Sequence, residues 1–173
     1  MTALLYSAIE TSGLSFIGLY TEHLGWSETE GMHLVSCLPA GAVLMQIPIG
    51  VLADHMDKRR LALLLSLLAA VGALVWPWLL SMHWAAFAGV FVWGGAFVGV
   101  YAIMASVVGG EFRGADVVGV YALMGLGWGV GALLGPTLAG AAMEASPRFG
   151  LPVFVALACG TFAAYMLLSK SRA

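Results

Sequence analysis

The stretch LALLLSLLAAVGALVWPWLL at residues 61–80 decides the class of fold. It contains no charged side chain, and its length matches the roughly 20 residues that a helix needs to cross the hydrocarbon core of a bilayer. Its apolar residues do not alternate with polar ones, as those of a membrane β-barrel do. The sequence therefore predicts an all-α polytopic membrane protein, a single bundle over residues 1–173 with six transmembrane helices. The other five apolar stretches lie at about residues 3–21, 32–53, 84–109, 117–143 and 150–168.

The composition agrees with a chain whose solvent is largely lipid. Charged residues make up 9% of the 173 residues, whereas soluble domains carry roughly 25%. Because soluble proteins keep their charges on the surface, so few charges exclude an ordinary soluble domain, a disordered chain and a nucleic-acid binder. Cys37 and Cys159 both lie in apolar stretches, so no disulfide framework is indicated.

The first apolar stretch does not have the pattern of a cleaved signal peptide. No Lys or Arg precedes it and Glu10 lies in its interior, whereas a signal peptide has a basic start and an uninterrupted apolar run. We therefore expect a mature helix here. A chain that begins almost inside a membrane span suggests half of a protein or a fragment.

The basic residues predict the orientation in the membrane. With six spans, six of the seven Lys and Arg residues fall on one side, and only Arg148 falls on the other. Cytoplasmic loops carry an excess of these residues, so both termini are expected in the cytoplasm. The six bases on that side are Lys58, Arg59, Arg60, Arg113, Lys170 and Arg172.

The most informative loop is GVLADHMDKRR at residues 50–60, between the second and third stretches. Gly50 allows a neighbouring helix to approach closely. Asp54 stands at a helix end, where a carboxylate needs an arginine or a helix N-terminus as its partner. Taken alone, the basic cluster at residues 58–60 is also typical of a loop that only sets the orientation.

The order of residues in this loop resembles the signature loop of the major facilitator superfamily, Gly-x-Leu-Ala-Asp-Arg-x-Gly-Arg-Arg/Lys. In that family the loop stabilises one conformation of the transporter through a charge relay. His55 and Asp57 depart from the pattern, which leaves the salt-bridge partner open. The matching positions are Gly50, Leu52, Ala53, Asp54, Lys58 and Arg59, and Arg60 extends the basic cluster.

A second resemblance lies in the fifth stretch, GALLGPTLAG at residues 131–140. It is similar to the Gly-x-x-x-Gly-Pro pattern of that family's fifth and eleventh helices, with Gly131, Gly135, Pro136 and Gly140 at matching positions. Glycines spaced four residues apart let a neighbouring helix approach closely, and proline favours a kink. In proton antiporters the pattern is linked to coupling, but other members have it too, so antiport does not follow.

The resemblance covers all six stretches and is strongest to the C-terminal half of bacterial permeases with twelve helices. It implies two inverted three-helix repeats, about 1–80 and 84–173, and a place in the bacterial inner membrane. It also implies secondary-active transport of a small molecule by alternating access, with proton coupling, symport and antiport left open. The second six-helix half would come from a homodimer or from a separate N-terminal half, with the glycine faces of spans two and five as candidate contacts.

The alternative function is a membrane subunit or sensor that keeps the fold without transporting. The sequence contains no catalytic pattern, metal-ligand set or cofactor motif. We therefore expect no enzyme, no metal and no cofactor.

Glu10 is the carboxylate expected near the middle of the membrane, where such a group is usually paired, neutral or functional. Ser7, Thr11, Ser15 and Gly18 lie on the same side of the helix and suggest a face toward a cavity. Two alternatives are that Glu10 reaches water at the cytoplasmic end of its span, or that it forms a static buried hydrogen bond. Further candidates for substrate contact are Gln46, Trp93, Tyr101, Tyr121 and Trp128, and Glu111 with Arg113 is a candidate cytoplasmic charge pair. The alternative for Gln46 is a hydrogen bond between helices, and the alternative for the aromatic residues is packing.

Overall fold

The computed structural model describes residues 1–170, and this part of the chain folds into seven α-helices. Each predicted apolar stretch is helical, and the second stretch is divided into two helices. Arg172, which we expect on the cytoplasmic side, lies outside the described residues. The helices are α1 (Thr2–His23), α2 (Glu28–Leu44), α3 (Gln46–His55), α4 (Lys58–Leu79), α5 (His83–Glu111), α6 (Ala115–Ala145) and α7 (Gly150–Lys170).

Five helical segments of the described chain are long and apolar enough to cross a membrane. The chain is therefore a multi-pass integral membrane protein. The 22-residue helix α1 is not among the five, since it carries Glu10 and several hydroxyl side chains, and a sixth span stays a prediction. The five segments are Glu28–His55, Lys58–Leu79, His83–Glu111, Asp116–Ala145 and Gly150–Leu168.

A break at Met45 separates α2 from α3. Pro48 has no N–H to donate to the carbonyl group of Leu44, four residues before it, and α2 ends at Leu44. Pro39 does not interrupt the span in the same way, because α2 continues through it. Pro136 likewise lies inside α6 without ending the helix.

The glycines of α6 pack directly on the backbone of α1. A Cβ atom at Gly131 would overlap the carbonyl oxygen of Leu4, and a Cβ atom at Gly135 would overlap the carbonyl oxygen of Ala8. Only glycine permits this approach, as in other membrane helices that associate through small residues. The predicted use of the glycine repeat for close helix packing is therefore confirmed.

An equivalent seam joins α2 to α5. A Cβ atom at Gly41 would overlap the carbonyl oxygen of Phe91, and a Cβ atom at Gly94 would overlap that of Leu38. Each seam joins the two halves of the chain. Helix α1 of the first half packs on α6 of the second half, and α2 of the first half packs on α5 of the second half. Helices of the same chain thus occupy the glycine faces at Gly41, Gly131 and Gly135, whereas an added Cβ at Gly50 meets nothing within 4 Å. Contact of a second six-helix half with the remaining glycines stays a prediction.

A column of aromatic rings fills the centre of the bundle, where α1, α4, α5 and α7 meet. The ring of Trp93 stacks on Phe97 with centroids 5.0 Å apart, and Phe97 stacks on Tyr6 at 4.8 Å. Trp76 and Phe162 close the two ends of the column with edge-on contacts. All five side chains are at most 5% exposed, so Trp93 is a packing residue and the expectation that it contacts substrate is wrong.

A glycine turn after α1 directs the following loop into the bundle. Gly25 has a φ of +88°, and its N–H donates to the carbonyl of Glu22 while the N–H of Trp26 donates to that of Thr21. These two bonds form a Schellman motif, which requires a residue in the left-handed region. The turn buries the Trp26 ring, whose Nε1 donates a 2.9 Å hydrogen bond to the carbonyl oxygen of Leu80.

Helix α2 begins with a capping box that also reaches α5. The Ser27 hydroxyl accepts from the N–H of Glu30, and the Glu30 carboxylate accepts from the N–H of Ser27. The Nε2 atom of His83 lies 3.4 Å from the same carboxylate, and its ring stacks on Trp26 at 4.2 Å. The spacing Ser-x-x-Glu at residues 27–30 is a recognisable sequence signal for such a cap.

Candidate functional site

The signature loop and Gln46 line one cavity of about 260 Å³ between α3 and α5. Helix α3 carries Gln46 and ends at His55, so the glutamine and Asp54 both lie on this ten-residue helix. Residues of the C-terminal part of α5 form the opposite wall. The lining residues include Gln46, Gly50, Asp54, Lys58, Ala102 and Ser106.

The loop that follows α3 is fixed by Asp57. This residue is the N-cap of α4, and its Oδ1 accepts a 2.8 Å hydrogen bond from the backbone N–H of Arg60. Asp57 stands where the family pattern has a glycine, and its side chain therefore caps α4. His55 turns back on its own helix, with Nδ1 2.8 Å from the carbonyl oxygen of Val51.

Asp54 is exposed and forms no ion pair within residues 1–170. The cation that a carboxylate at this position needs is thus not supplied by the described part of the chain in this conformation. Lys58 shares the cavity with Asp54 but does not form a salt bridge with it.

Glu10 is half-buried, and among the described residues its carboxylate has no hydrogen-bond or ion-pair partner. A static buried hydrogen bond is therefore absent from this conformation. Glu10 lies eight residues after the start of α1 and thirteen before its end at His23. At a rise of 1.5 Å per residue, Glu10 is about 12 Å along the axis from the first residue of α1. It therefore lies in the middle third of the helix.

The polar stripe around Glu10 is only partly open. Ser7 is fully buried, and its hydroxyl donates a 2.6 Å hydrogen bond to the carbonyl oxygen of Trp128 in α6. The Thr11 hydroxyl, which is half-buried, donates to the carbonyl oxygen of Ser7 in its own helix. Ser15 is exposed. The accessible part of the stripe is therefore formed by Glu10, Thr11 and Ser15.

Two of the aromatic candidates lie together between α5 and α6. The rings of Tyr101 and Trp128 meet edge-on, with centroids 5.0 Å apart, and both side chains are half-buried. Tyr121 lies nearer the start of α6, where its hydroxyl donates a 3.0 Å hydrogen bond to the carbonyl oxygen of Ala105. The structure thus brings Ser7, Tyr101 and Trp128 into one cluster.

Other candidates stay apart in this conformation. Within the described residues, no hydrogen bond or ion pair joins Glu10 to Gln46 or to the aromatic cluster. Glu111 is the last residue of α5 and Arg113 lies in the loop after it, and both are exposed without an ion pair between them. Contacts of the described residues therefore bring together two groups of candidates, Gln46 with the signature loop, and Ser7 with Tyr101 and Trp128.

The chain matches the family model of the Major Facilitator Superfamily over residues 1–173. No curated protein and no solved structure is significantly similar to the chain. The family match covers the signature loop, both glycine seams and every helix of the bundle. The chain belongs to the Major Facilitator Superfamily, whose members are membrane transporters.

Proposed function

We propose that the chain forms one six-helix half of a secondary-active transporter that moves a small molecule by alternating access. The family supports membrane transport, and the two glycine seams support two inverted repeats at about 1–80 and 84–173. If α1 is related to α5 and α2 to α6 by a twofold axis in the membrane plane, the pairing of α1 with α6 and of α2 with α5 are equivalent contacts. The strongly packed α1 is then the sixth span.

The observation that carries this proposal is the unpaired carboxylate of Glu10 in the middle of α1. A carboxylate at this depth is expensive unless it is neutralised or paired. A bound proton, a cationic group of the substrate or a residue of the second half would each neutralise it. Within residues 1–170, Lys and Arg residues occur only at helix ends and in loops, so a neutral or cationic substrate fits this half better than a strongly anionic one.

A second six-helix half would supply the other wall of the cavity. It would come from a second copy of the chain, related by a twofold axis along the membrane normal, or from a separate N-terminal half. Since both glycine seams are filled within the chain, the contact would use the remaining exposed faces, including that of α6. The bases at residues 58–60 and Arg113 favour cytoplasmic termini, in the bacterial inner membrane.

The test is flux in proteoliposomes that contain the full chain, across a panel of neutral and cationic compounds, with and without a pH gradient. We expect flux that responds to the gradient, and we expect Glu10→Gln to abolish that response. Glu22→Gln, an exposed carboxylate in the last turn of the same helix, is the matched control and should leave it unchanged.

Two results would contradict the proposal. If Glu10→Gln keeps the full flux and its pH dependence, the role of Glu10 is wrong. If the reconstituted chain binds a compound of the panel but moves none, the non-transporting sensor is the better function. Cross-linking in the same liposomes tests the assembly, which requires a dimer or a second polypeptide.

A further inference from the structure

A second cavity, of about 310 Å³, lies between the start of α4 and the end of α7. It is separate from the cavity that Gln46 lines, which opens between α3 and α5. Its position at the first turn of one span and the last turns of another places it at a membrane surface. The lining residues are Asp57, Arg59, Arg60, Leu63, Met166 and Leu167.

The polar part of this cavity carries two available guanidinium groups. Arg59 and Arg60 are exposed, and neither forms an ion pair within residues 1–170. The carboxylate of Asp57 is already engaged, because its Oδ1 caps the N–H of Arg60. The described lining residues thus carry a net charge of +1, with planar donors of the kind that bind phosphate oxygens in pairs.

The apolar part of the cavity continues onto a surface that suits lipid. Leu63 and Leu167 form its wall, and Leu167 is 54% exposed. Along α4, the exposed side chains beyond the cavity are uniformly apolar as far as Trp78. A water-soluble anion gains nothing from such a wall, whereas an acyl chain does. The exposed apolar side chains of α4 between the cavity and Trp78 are Leu64, Leu67, Leu68, Val71, Leu74 and Val75.

We propose that this cavity binds the headgroup of an anionic phospholipid, with the phosphate between Arg59 and Arg60 and an acyl chain along Leu63 and Leu167. Basic pockets between spans on the cytoplasmic side recognise such headgroups, and the negative surface of that leaflet concentrates them there. Arg59 and Arg60 also belong to the signature loop, but the proposal is tested by lipid binding and does not depend on the transport function.

The test measures lipid binding to the purified full chain by native mass spectrometry. Phosphatidylglycerol and phosphatidylcholine are the two probes, with inorganic phosphate as a competitor. We expect phosphatidylglycerol to bind more tightly than phosphatidylcholine, and an Arg59→Gln/Arg60→Gln double variant to lose about 30-fold in phosphatidylglycerol affinity. Lys58→Gln is the matched control, because Lys58 is the next residue in sequence but lines the other cavity. The Lys58→Gln variant should lose far less affinity for phosphatidylglycerol.

Leu167→Glu is a second variant that leaves both arginines in place. It puts a carboxylate beside them and should weaken the binding of phosphatidylglycerol more than that of phosphatidylcholine, because the charge repels only the anionic headgroup. Equal affinity for the two lipids, an undiminished affinity in the double variant, or the same loss in Lys58→Gln would overturn the proposal. Full displacement by millimolar inorganic phosphate would also overturn it, since the cavity would then be a site for a free anion.

Discussion

The hydroxyl group of Ser7 in α1 donates a 2.6 Å hydrogen bond to the carbonyl oxygen of Trp128 in α6. The same pair of helices is in backbone contact at Gly131, one turn further along α6. The hydrogen bond and the glycine contact together fix the position of Trp128 along α1. The Trp128 ring then contacts the ring of Tyr101 in α5. The glycine seam between α1 and α6 therefore also positions the aromatic cluster of Tyr101 and Trp128.

Cys159 should report unfolding of the bundle. It is fully buried, and its carbonyl oxygen accepts a 3.0 Å hydrogen bond from Ser66 of α4, whereas Cys37 is half-buried in α2. In mild detergent we expect a maleimide probe to label Cys37 and not Cys159. A Cys37→Ser variant should then react only when heated. Labelling of Cys159 in the folded protein at the rate of Cys37 would contradict this packing.

Gly131→Ala should destabilise the bundle, although alanine is the better helix former. In an exposed helix the change is favourable by about 1 kcal/mol. Here the added methyl group meets the carbonyl oxygen of Leu4, which is backbone and cannot move aside. We expect a cost of about 1–3 kcal/mol, seen as a lower midpoint of Cys159 labelling on heating.

The control for this prediction is Gly129→Ala on the same helix, where an added Cβ meets nothing within 4 Å. It should leave the midpoint unchanged or raise it. If the two alanine variants behave alike, the seam between α1 and α6 is not packed as described.

Phe97→Ala should remove the centre of the aromatic column. Phe97 is 2% exposed and stacks on both Trp93 and Tyr6, so its loss leaves a cavity that neither ring can fill. We expect a cost of about 3 kcal/mol, near the lower limit for such a change in soluble cores, because lipid provides no hydrophobic driving force for helix association. Val92→Ala, on the exposed side of α5, should change the unfolding midpoint little.

Ser27→Ala should weaken the start of α2 by about 1 kcal/mol, since the capping box loses the hydroxyl that accepts from the Glu30 N–H. Hydrogen exchange of the backbone amides in the first turn of α2 is the direct measurement, and we expect it to accelerate. Ser36→Ala is the control, because the Ser36 hydroxyl donates only to the carbonyl of Met32 within the same helix. An unchanged exchange rate in Ser27→Ala would show that the cap contributes nothing.

The helices themselves are predictable from the sequence because length and hydropathy suffice. The stretch at residues 61–80 corresponds to α4, which begins three residues earlier since Asp57 caps it. The pairing of helices is not predictable in the same way. The glycine repeat of α6 predicts that another helix packs closely against it. It does not predict which helix, because the backbone of any helix could make that contact. The helix that does so is α1, more than a hundred residues away in the sequence.

The site was harder to predict for a related reason. Helix α5 is apolar on all sides, so its sequence does not show which face is buried. Trp93 and Tyr101 therefore look equivalent in the sequence, although one is in the core and the other is half-buried beside Trp128. The proximity of Gln46 to the signature loop, in contrast, follows from the sequence, because Gln46 and Gly50 lie one turn apart on α3.

The long separation between Ser7 and Trp128, 121 residues, has a consequence for biogenesis. At about 5–20 residues per second, ribosomes need about 6–24 seconds to make that interval. During this time α1, which carries Glu10 and is the least apolar of the long helices, lacks its backbone contact with α6 at Gly131 and Gly135. We therefore expect nascent α1 to reach its final position late, after α6 has been made.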